Sequence, residues 1–105
     1  MSPQQQQQLQ QGLNKLNQFL SDRRAKRDVV HVATREDGLK LYSFRYLWSD
    51  EPHVGVMAQD LLNDPVKRDA VSLHESGYYQ VDYAMLGIKM LTLDEWRALS
   101  ARGSR

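Results

Sequence analysis

The chain contains no cysteine, which excludes both a disulfide framework and a thiolate metal site. Its three histidines, His31, His53 and His74, lie far apart in the sequence and match no compact ligand spacing. We therefore expect no metal ion. We also expect no other cofactor. A chain of 105 residues has room for one small domain, and domains of this size are often stabilised by association with other chains.

The chain also lacks a charge excess of either sign. Fourteen basic residues stand against thirteen acidic ones, a formal net charge of +1. Such a balance does not favour a nucleic acid or a membrane surface as partner. No apolar run approaches the roughly 18 residues of a transmembrane helix. We expect no nucleic-acid, membrane or small-molecule partner.

The first twenty residues form a leader that is rich in glutamine. Its four leucines recur at spacings of 4, 3 and 4, which is typical of the apolar seam of a coiled coil. An amphipathic helix that packs on its own domain is the alternative interpretation. We expect a leader over 1–20, a domain over 21–100 and a frayed tail over 101–105. The seam residues are Leu9, Leu13, Leu16 and Leu20.

Aromatic residues alternate with other residues over positions 42–48. This period of two predicts a strand with one aromatic face, which we expect to be the core face of a sheet. A platform for stacking nucleic-acid bases is the alternative. The aromatic residues are Tyr42, Phe44, Tyr46 and Trp48.

Shorter patterns complete the predicted fold. Strands are expected at 29–32 and 54–57, a helix at 58–63, and a hairpin over 71–83 with a glycine-containing turn. A final helical segment begins near residue 84 and is apolar on several sides, which favours burial against a partner chain. The predicted class is therefore α+β: an N-terminal coiled-coil helix, small antiparallel hairpins and a C-terminal helical segment, in a trimeric assembly.

The final segment also contains a signal for a helix start. Thr92 and Glu95 have the spacing of a capping box, in which two side chains bond to each other's backbone N–H groups. The segment is therefore expected to break near Thr92 and to restart there.

The stretch SDRRAKRD, residues 21–28, places four cations in five positions beside a serine. It allows three interpretations. Ser21 or Asp22 could cap a helix or turn, with the cations solvated. The cations could instead bind phosphates. Finally, Ser21 and Lys26 could form a catalytic dyad, in which a neutral lysine activates the serine hydroxyl.

The dyad imposes conditions on Lys26. Neighbouring arginines and burial both disfavour an ammonium group, so that both would lower the pKa of Lys26. On a regular helix, positions five residues apart point about 140° away from each other. The dyad therefore requires the helix to end at this stretch, or the lysine to come from another chain.

Four segments together resemble the intramolecular chaperone domain of phage endosialidases, tailspikes and tail fibres. SDRRAK resembles the S-D-x-x-x-K signature that opens that domain. The likeness continues through FRYLW, VGVMAQDLL and GYYQVDYAMLGIKML, in the same order as in the family, and covers roughly residues 20–99.

The resemblance implies a homotrimeric chaperone that helps an upstream fibre or stalk to fold, in the cytoplasm of a bacterial host during virion assembly, and then removes itself. It implies that Ser21 is the nucleophile, Lys26 its base and Leu20–Ser21 the scissile bond, and it gives Asp22 an orienting role. The alternative function is a structural trimerisation module that does not cut itself. Nucleic-acid binding is a third hypothesis, which a steep salt dependence of binding would distinguish.

Overall fold

The computed structural model of the protein describes residues 18–103. Within them, one antiparallel sheet has three short strands in the order β1-β6-β5. We number strands along the chain: β1 is Gln18–Leu20, β5 is Val71–Leu73 and β6 is Tyr79–Asp82. The first strand of the described residues thus pairs with a strand some sixty residues later in the chain.

The second antiparallel sheet has four strands in the order β2-β3-β4-β7. These are β2 (Lys26–Thr34), β3 (Lys40–Tyr46), β4 (His53–Gly55) and β7 (Leu91–Thr92). The turn between β2 and β3 contains Gly38 with φ 88°, a left-handed conformation that glycine adopts without steric cost. Residues 21–25, between the end of β1 and the start of β2, connect the two sheets.

Two α-helices complete the regular structure of residues 18–103: α1 (Ala58–Leu61) and α2 (Leu93–Gly103). Single 3-10 turns occur at Arg23–Ala25, Lys67–Ala70 and Ala84–Leu86. No helix within these residues is long and apolar enough to span a membrane.

The predicted α+β class with an N-terminal coiled-coil helix is wrong. The described residues form mostly antiparallel sheet, and Leu20 ends strand β1 instead of lying on a helical seam. The other seam residues, Leu9, Leu13 and Leu16, lie outside the described residues. Leu20 joins a strand because β1 can pair with β6. The ring of Phe19 also packs against that of Tyr83, with the two ring centroids 5.0 Å apart.

The aromatic strand and the hairpin are confirmed. The hairpin is β5–β6, and the aromatic strand is β3, whose Tyr42 and Phe44 are buried. The strand ends at Tyr46, however, and Trp48 lies beyond it in a turn with 61% of its surface exposed. The aromatic face is therefore a core face for most of its length.

The predicted final helix is correct only in its second half. From Ala84 the chain makes one 3-10 turn and reverses at Gly87, which has φ 70°. The helix itself begins at Leu93. The capping box is confirmed: the Thr92 N–H donates to Glu95 Oε1 at 2.8 Å, and the Glu95 N–H donates to Thr92 Oγ1 at 3.1 Å.

The main core lies between the sheets and the short helical elements. Its buried residues are Leu39, Val56, Ala58, Leu61, Ala70, Val81, Tyr83 and Leu86, and a smaller cluster holds Tyr42, Phe44 and Met57. Three polar residues are buried with them, namely Ser21, Asp22 and Lys26. Buried ionisable groups are costly unless they are paired, so this trio marks the place to look for a function.

Candidate active site

The buried polar trio lies in the connection between β1 and β2. Ser21 and Asp22 are fully buried, and Lys26 is 7% exposed. A 3-10 turn, Arg23–Ala25, separates them from Lys26, which is the first residue of β2. The helix that would have pointed Ser21 and Lys26 apart is therefore absent from this stretch, as the dyad requires.

The structure fixes Ser21 through both its backbone and its side chain. The Ser21 N–H donates to the Tyr79 carbonyl at 3.0 Å, and its carbonyl accepts from the Ala58 N–H at 2.8 Å. The hydroxyl lies 3.0 Å from the Tyr83 hydroxyl, and either oxygen can be the donor. These contacts, from β6, α1 and the end of the hairpin, leave the serine little rotational freedom.

Tyr83 is itself held in place by Val56, the residue that follows β4. Its hydroxyl oxygen accepts a hydrogen bond from the Val56 N–H at 3.2 Å. Burial raises the pKa of Tyr83, so its hydroxyl stays protonated near neutral pH. The ring reaches this position because Gly55 has no side chain: a Cβ there would overlap the Tyr83 hydroxyl.

Lys26 points its amine into the same region. Nζ donates to the Val56 carbonyl at 2.7 Å and lies 3.9 Å from the centroid of the Phe44 ring. Burial lowers the pKa of Lys26 from 10.5 to about 7, while the charge of Asp22 acts in the opposite direction. A large share of the lysine is therefore neutral at physiological pH, the state that a general base needs.

The neighbouring arginines do not account for this lowered pKa. Arg24 pairs with Asp22 at 2.7 Å, and Arg27 pairs with Asp28 and Asp50 at 2.8 and 2.7 Å. The expectation that arginines would lower the pKa of Lys26 is therefore replaced by burial as the cause.

Asp22 accepts hydrogen bonds from three directions. Arg24 donates to it from its backbone N–H at 2.9 Å and from its guanidinium, Gln59 donates from Nε2 at 2.8 Å, and Tyr79 donates from its N–H at 3.1 Å. Arg24 above all holds the pKa of Asp22 well below its usual range. The carboxylate thus joins the turn after Ser21 to both α1 and β6.

The carbonyl before Ser21 has a side-chain partner as well. The Tyr46 hydroxyl donates to the Leu20 carbonyl oxygen at 2.6 Å. Burial raises the pKa of Tyr46, which keeps this hydroxyl a donor. Tyr46 and Tyr83 lie in segments noted in the sequence for their resemblance to a family, but nothing in the local pattern showed that either hydroxyl would reach this site.

The backbone of Val56 links the hydrogen bonds of Ser21 and Lys26. The N–H of Val56 bonds to Tyr83, the partner of the Ser21 hydroxyl, and its carbonyl accepts from Lys26. Among the described residues, the structure shows no hydrogen bond between Ser21 Oγ and Lys26 Nζ. The structure thus brings the Ser21 hydroxyl, the largely neutral amine of Lys26 and the hydrogen-bonded carbonyl of Leu20 into one region. The amine must turn towards Ser21 to act on it.

Residues 21–64 match the family model described as "Chaperone of endosialidase". The matched residues are less than half of the chain, and they include Ser21, Asp22, Lys26, Tyr46 and the Val56 region. The resemblance noted from the sequence is confirmed over this stretch, whereas the segment that contains Tyr83 lies outside it. No curated protein and no solved structure matches the chain.

Proposed function

We propose that this chain is an intramolecular chaperone domain that helps a phage or prophage tail-fibre protein to assemble and cuts itself once between Leu20 and Ser21. The observation that carries the proposal is the burial, beside that bond, of a serine and a lysine whose pKa is about 7. Both residues lie in the stretch that matches the chaperone family. Assembly of such a client places the domain in the cytoplasm of the bacterial host.

The cut begins with a proton transfer. The neutral amine of Lys26 has a lone pair that can accept the Ser21 hydroxyl proton while one of its N–H groups still donates to Val56. Ser21 Oγ then bonds to the carbonyl carbon of Leu20. When the C–N bond breaks, the proton returns from Lys26 to the Ser21 nitrogen, and an ester replaces the amide.

Water completes the reaction by hydrolysing that ester. The products are a leader that ends at Leu20 with a carboxylate and a chain that begins at Ser21 with a free amine. In this scheme Tyr83 orients the Ser21 hydroxyl, and Asp22 orients the turn that carries the nucleophile. Each chain reacts once, because its own backbone is the substrate.

The proposed assembly is a homotrimer. Large apolar side chains are exposed in the single chain, and association of identical subunits is a direct way to cover them. They are Val30, Leu47, Trp48, Leu62, Val66, Leu73, Met85 and Leu99. Sedimentation equilibrium at micromolar concentration tests this: a mass of three chains is expected, and a well-behaved monomer would contradict it.

Substitution of the two proposed catalytic groups tests the cut. Ser21→Ala removes the nucleophile and Lys26→Ala removes the base, so neither variant should be cut. Lys26→Arg should fail too, because a guanidinium stays protonated. Ser72→Ala and Lys40→Ala, at exposed positions in other strands, are matched controls that should be cut like the wild type. Cutting of the Ser21→Ala variant at the same bond would overturn the proposed role of Ser21.

The second candidate function is a trimerisation module that does not cut. The hydrogen bond of Lys26 to the Val56 carbonyl, in place of one to Ser21, is the observation that favours it. Under this alternative the wild-type chain forms trimers and stays whole.

A further inference from the structure

We propose that the Tyr46 hydroxyl is the group that stabilises the negative charge on the Leu20 carbonyl oxygen when Ser21 attacks, and is therefore a catalytic residue of the self-cutting reaction. The inference rests on the proposed function. Its starting point is the 2.6 Å hydrogen bond from the Tyr46 hydroxyl to that oxygen.

The position of Tyr46 follows from the register of the second sheet. Lys26 and Tyr46 are directly opposite each other on β2 and β3. Side chains of such a pair lie on the same face of the sheet, and Lys26 Nζ is 5.9 Å from the centre of the Tyr46 ring. The pairing thus brings the proposed base and the proposed donor to one end of the sheet, next to the bond to be cut.

The Tyr46 ring is fixed by its neighbours. It packs edge-on against Phe44, with ring centroids 5.0 Å apart, and stacks on Trp48 at 4.9 Å with an angle of 10° between the rings. A donor that is already in place needs no reorganisation when charge develops, which is the condition under which such donors accelerate acyl transfer most.

The charge requirement of the reaction matches what Tyr46 can offer. When Ser21 Oγ adds to the carbonyl carbon, the Leu20 oxygen takes the electron pair of the C=O bond and becomes anionic. A neutral phenol that stays protonated can then strengthen its hydrogen bond without giving up its proton. When the C–N bond breaks, the electron pair returns to re-form the carbonyl. Tyr46 is therefore chemically the same before and after the reaction.

The kinetic test compares two tyrosines of β3. The wild type, Tyr46→Phe and Tyr42→Phe chains are synthesised in a pulse-labelled cell-free translation, and the loss of uncut chain is followed at constant pH. Removal of one such donor typically slows acyl transfer by about 10²–10³-fold, which is the loss expected for Tyr46→Phe. Tyr42, whose hydroxyl donates to Asp60 instead, is the control and should be cut at about the wild-type rate.

A pH profile separates a chemical role from a structural one. With the Lys26 environment intact, Tyr46→Phe should lower the plateau of the cutting rate and leave its midpoint at pH about 7. A midpoint that moves towards the ordinary lysine pKa of 10.5 would show that the variant has exposed Lys26, and would overturn the chemical role.

A spectroscopic test does not need the cut. In the Ser21→Ala chain the peptide bond between residues 20 and 21 is the one Leu–Ala bond of the whole sequence. Labelling leucine carbonyls with ¹³C and alanine nitrogens with ¹⁵N therefore gives a single amide signal. Adding Tyr46→Phe should move the carbonyl resonance upfield, because its donor is lost. An unmoved resonance would overturn the proposal.

The outcomes separate the two proposals. A wild-type chain that is never cut refutes the proposed function, and this inference with it. A wild type and a Tyr46→Phe variant that are cut at equal rates refute the role of Tyr46 alone.

Discussion

Burial of Lys26 should make the stability of the domain depend on pH in a way that can be calculated. The pKa of its amine falls from 10.5 in the unfolded chain to about 7 in the folded one. Between these two values the unfolded chain binds more protons than the folded chain, so the free energy of unfolding rises with pH. Applied to this one group, the linkage relation gives a rise of about 2 kcal/mol from pH 7 to pH 9.

The perturbation that tests this is Lys26→Met in the uncut Ser21→Ala background. At pH 7 the buried amine lowers the free energy of unfolding by about 4 kcal/mol. Methionine removes that penalty but leaves the Val56 carbonyl without its donor, which lowers the free energy of unfolding by about 1 kcal/mol. The variant should therefore be more stable than its parent by about 3 kcal/mol at pH 7. Its free energy of unfolding should no longer show the rise that Lys26 causes between pH 7 and pH 9.

Urea unfolding followed by tryptophan fluorescence at several pH values measures both effects. Lys67→Met is the control: Asp64 raises the pKa of Lys67 above its ordinary 10.5, so its contribution is constant between pH 7 and pH 9. An equal dependence of the free energy of unfolding on pH in the parent and in Lys26→Met would show that Lys26 keeps an ordinary pKa. That result would remove the neutral base from the proposed mechanism.

The contacts of the site also determine how the cutting rate responds to pH and how the stability responds to substitution. The cutting rate should rise about tenfold from pH 6 to pH 8 and then level off, because the neutral share of the Lys26 amine, with a pKa of about 7, grows from about one tenth to about nine tenths. A hundredfold rise that continues beyond pH 8 would indicate that the pKa of Lys26 is unperturbed. Gly55→Ala should destabilise the domain by about 1–3 kcal/mol in urea unfolding, because the new Cβ overlaps the Tyr83 hydroxyl. An unchanged urea midpoint would contradict that packing. Asp22→Ala should lower the free energy of unfolding by about 2–3 kcal/mol, because the N–H donors of Gln59 and Tyr79 lose a charged acceptor. A loss below about 0.5 kcal/mol would show that water replaces the carboxylate.

The parts of the fold that were predicted from the sequence depend on neighbouring residues. The β5–β6 hairpin has its turn signal between its two strands, and the capping box joins residues three positions apart. The periodicity of Leu20 with the earlier leucines is an equally local signal, but it was misleading. Pairing of Gln18 with Asp82 and packing of Phe19 on Tyr83 determine the structure there, and no local pattern encodes contacts over such a distance.

The candidate site shows the same division. Ser21, Asp22 and Lys26 are predicted as one group because they form one short signature, and the structure buries all three. The tyrosines were not assigned to the site, because Tyr46 reaches Leu20 through the register of β2 and β3, and Tyr83 reaches Ser21 through the gap that Gly55 leaves. Both depend on tertiary structure that connects distant segments.

Intact mass spectrometry of the freshly expressed wild-type chain shows directly whether the bond between Leu20 and Ser21 is cut. We expect two species, a leader that ends at Leu20 and a chain that begins at Ser21, whereas Ser21→Ala should give only the full-length mass. A wild-type chain that remains a single uncut species through prolonged incubation at mildly alkaline pH, where Lys26 is neutral, would contradict it.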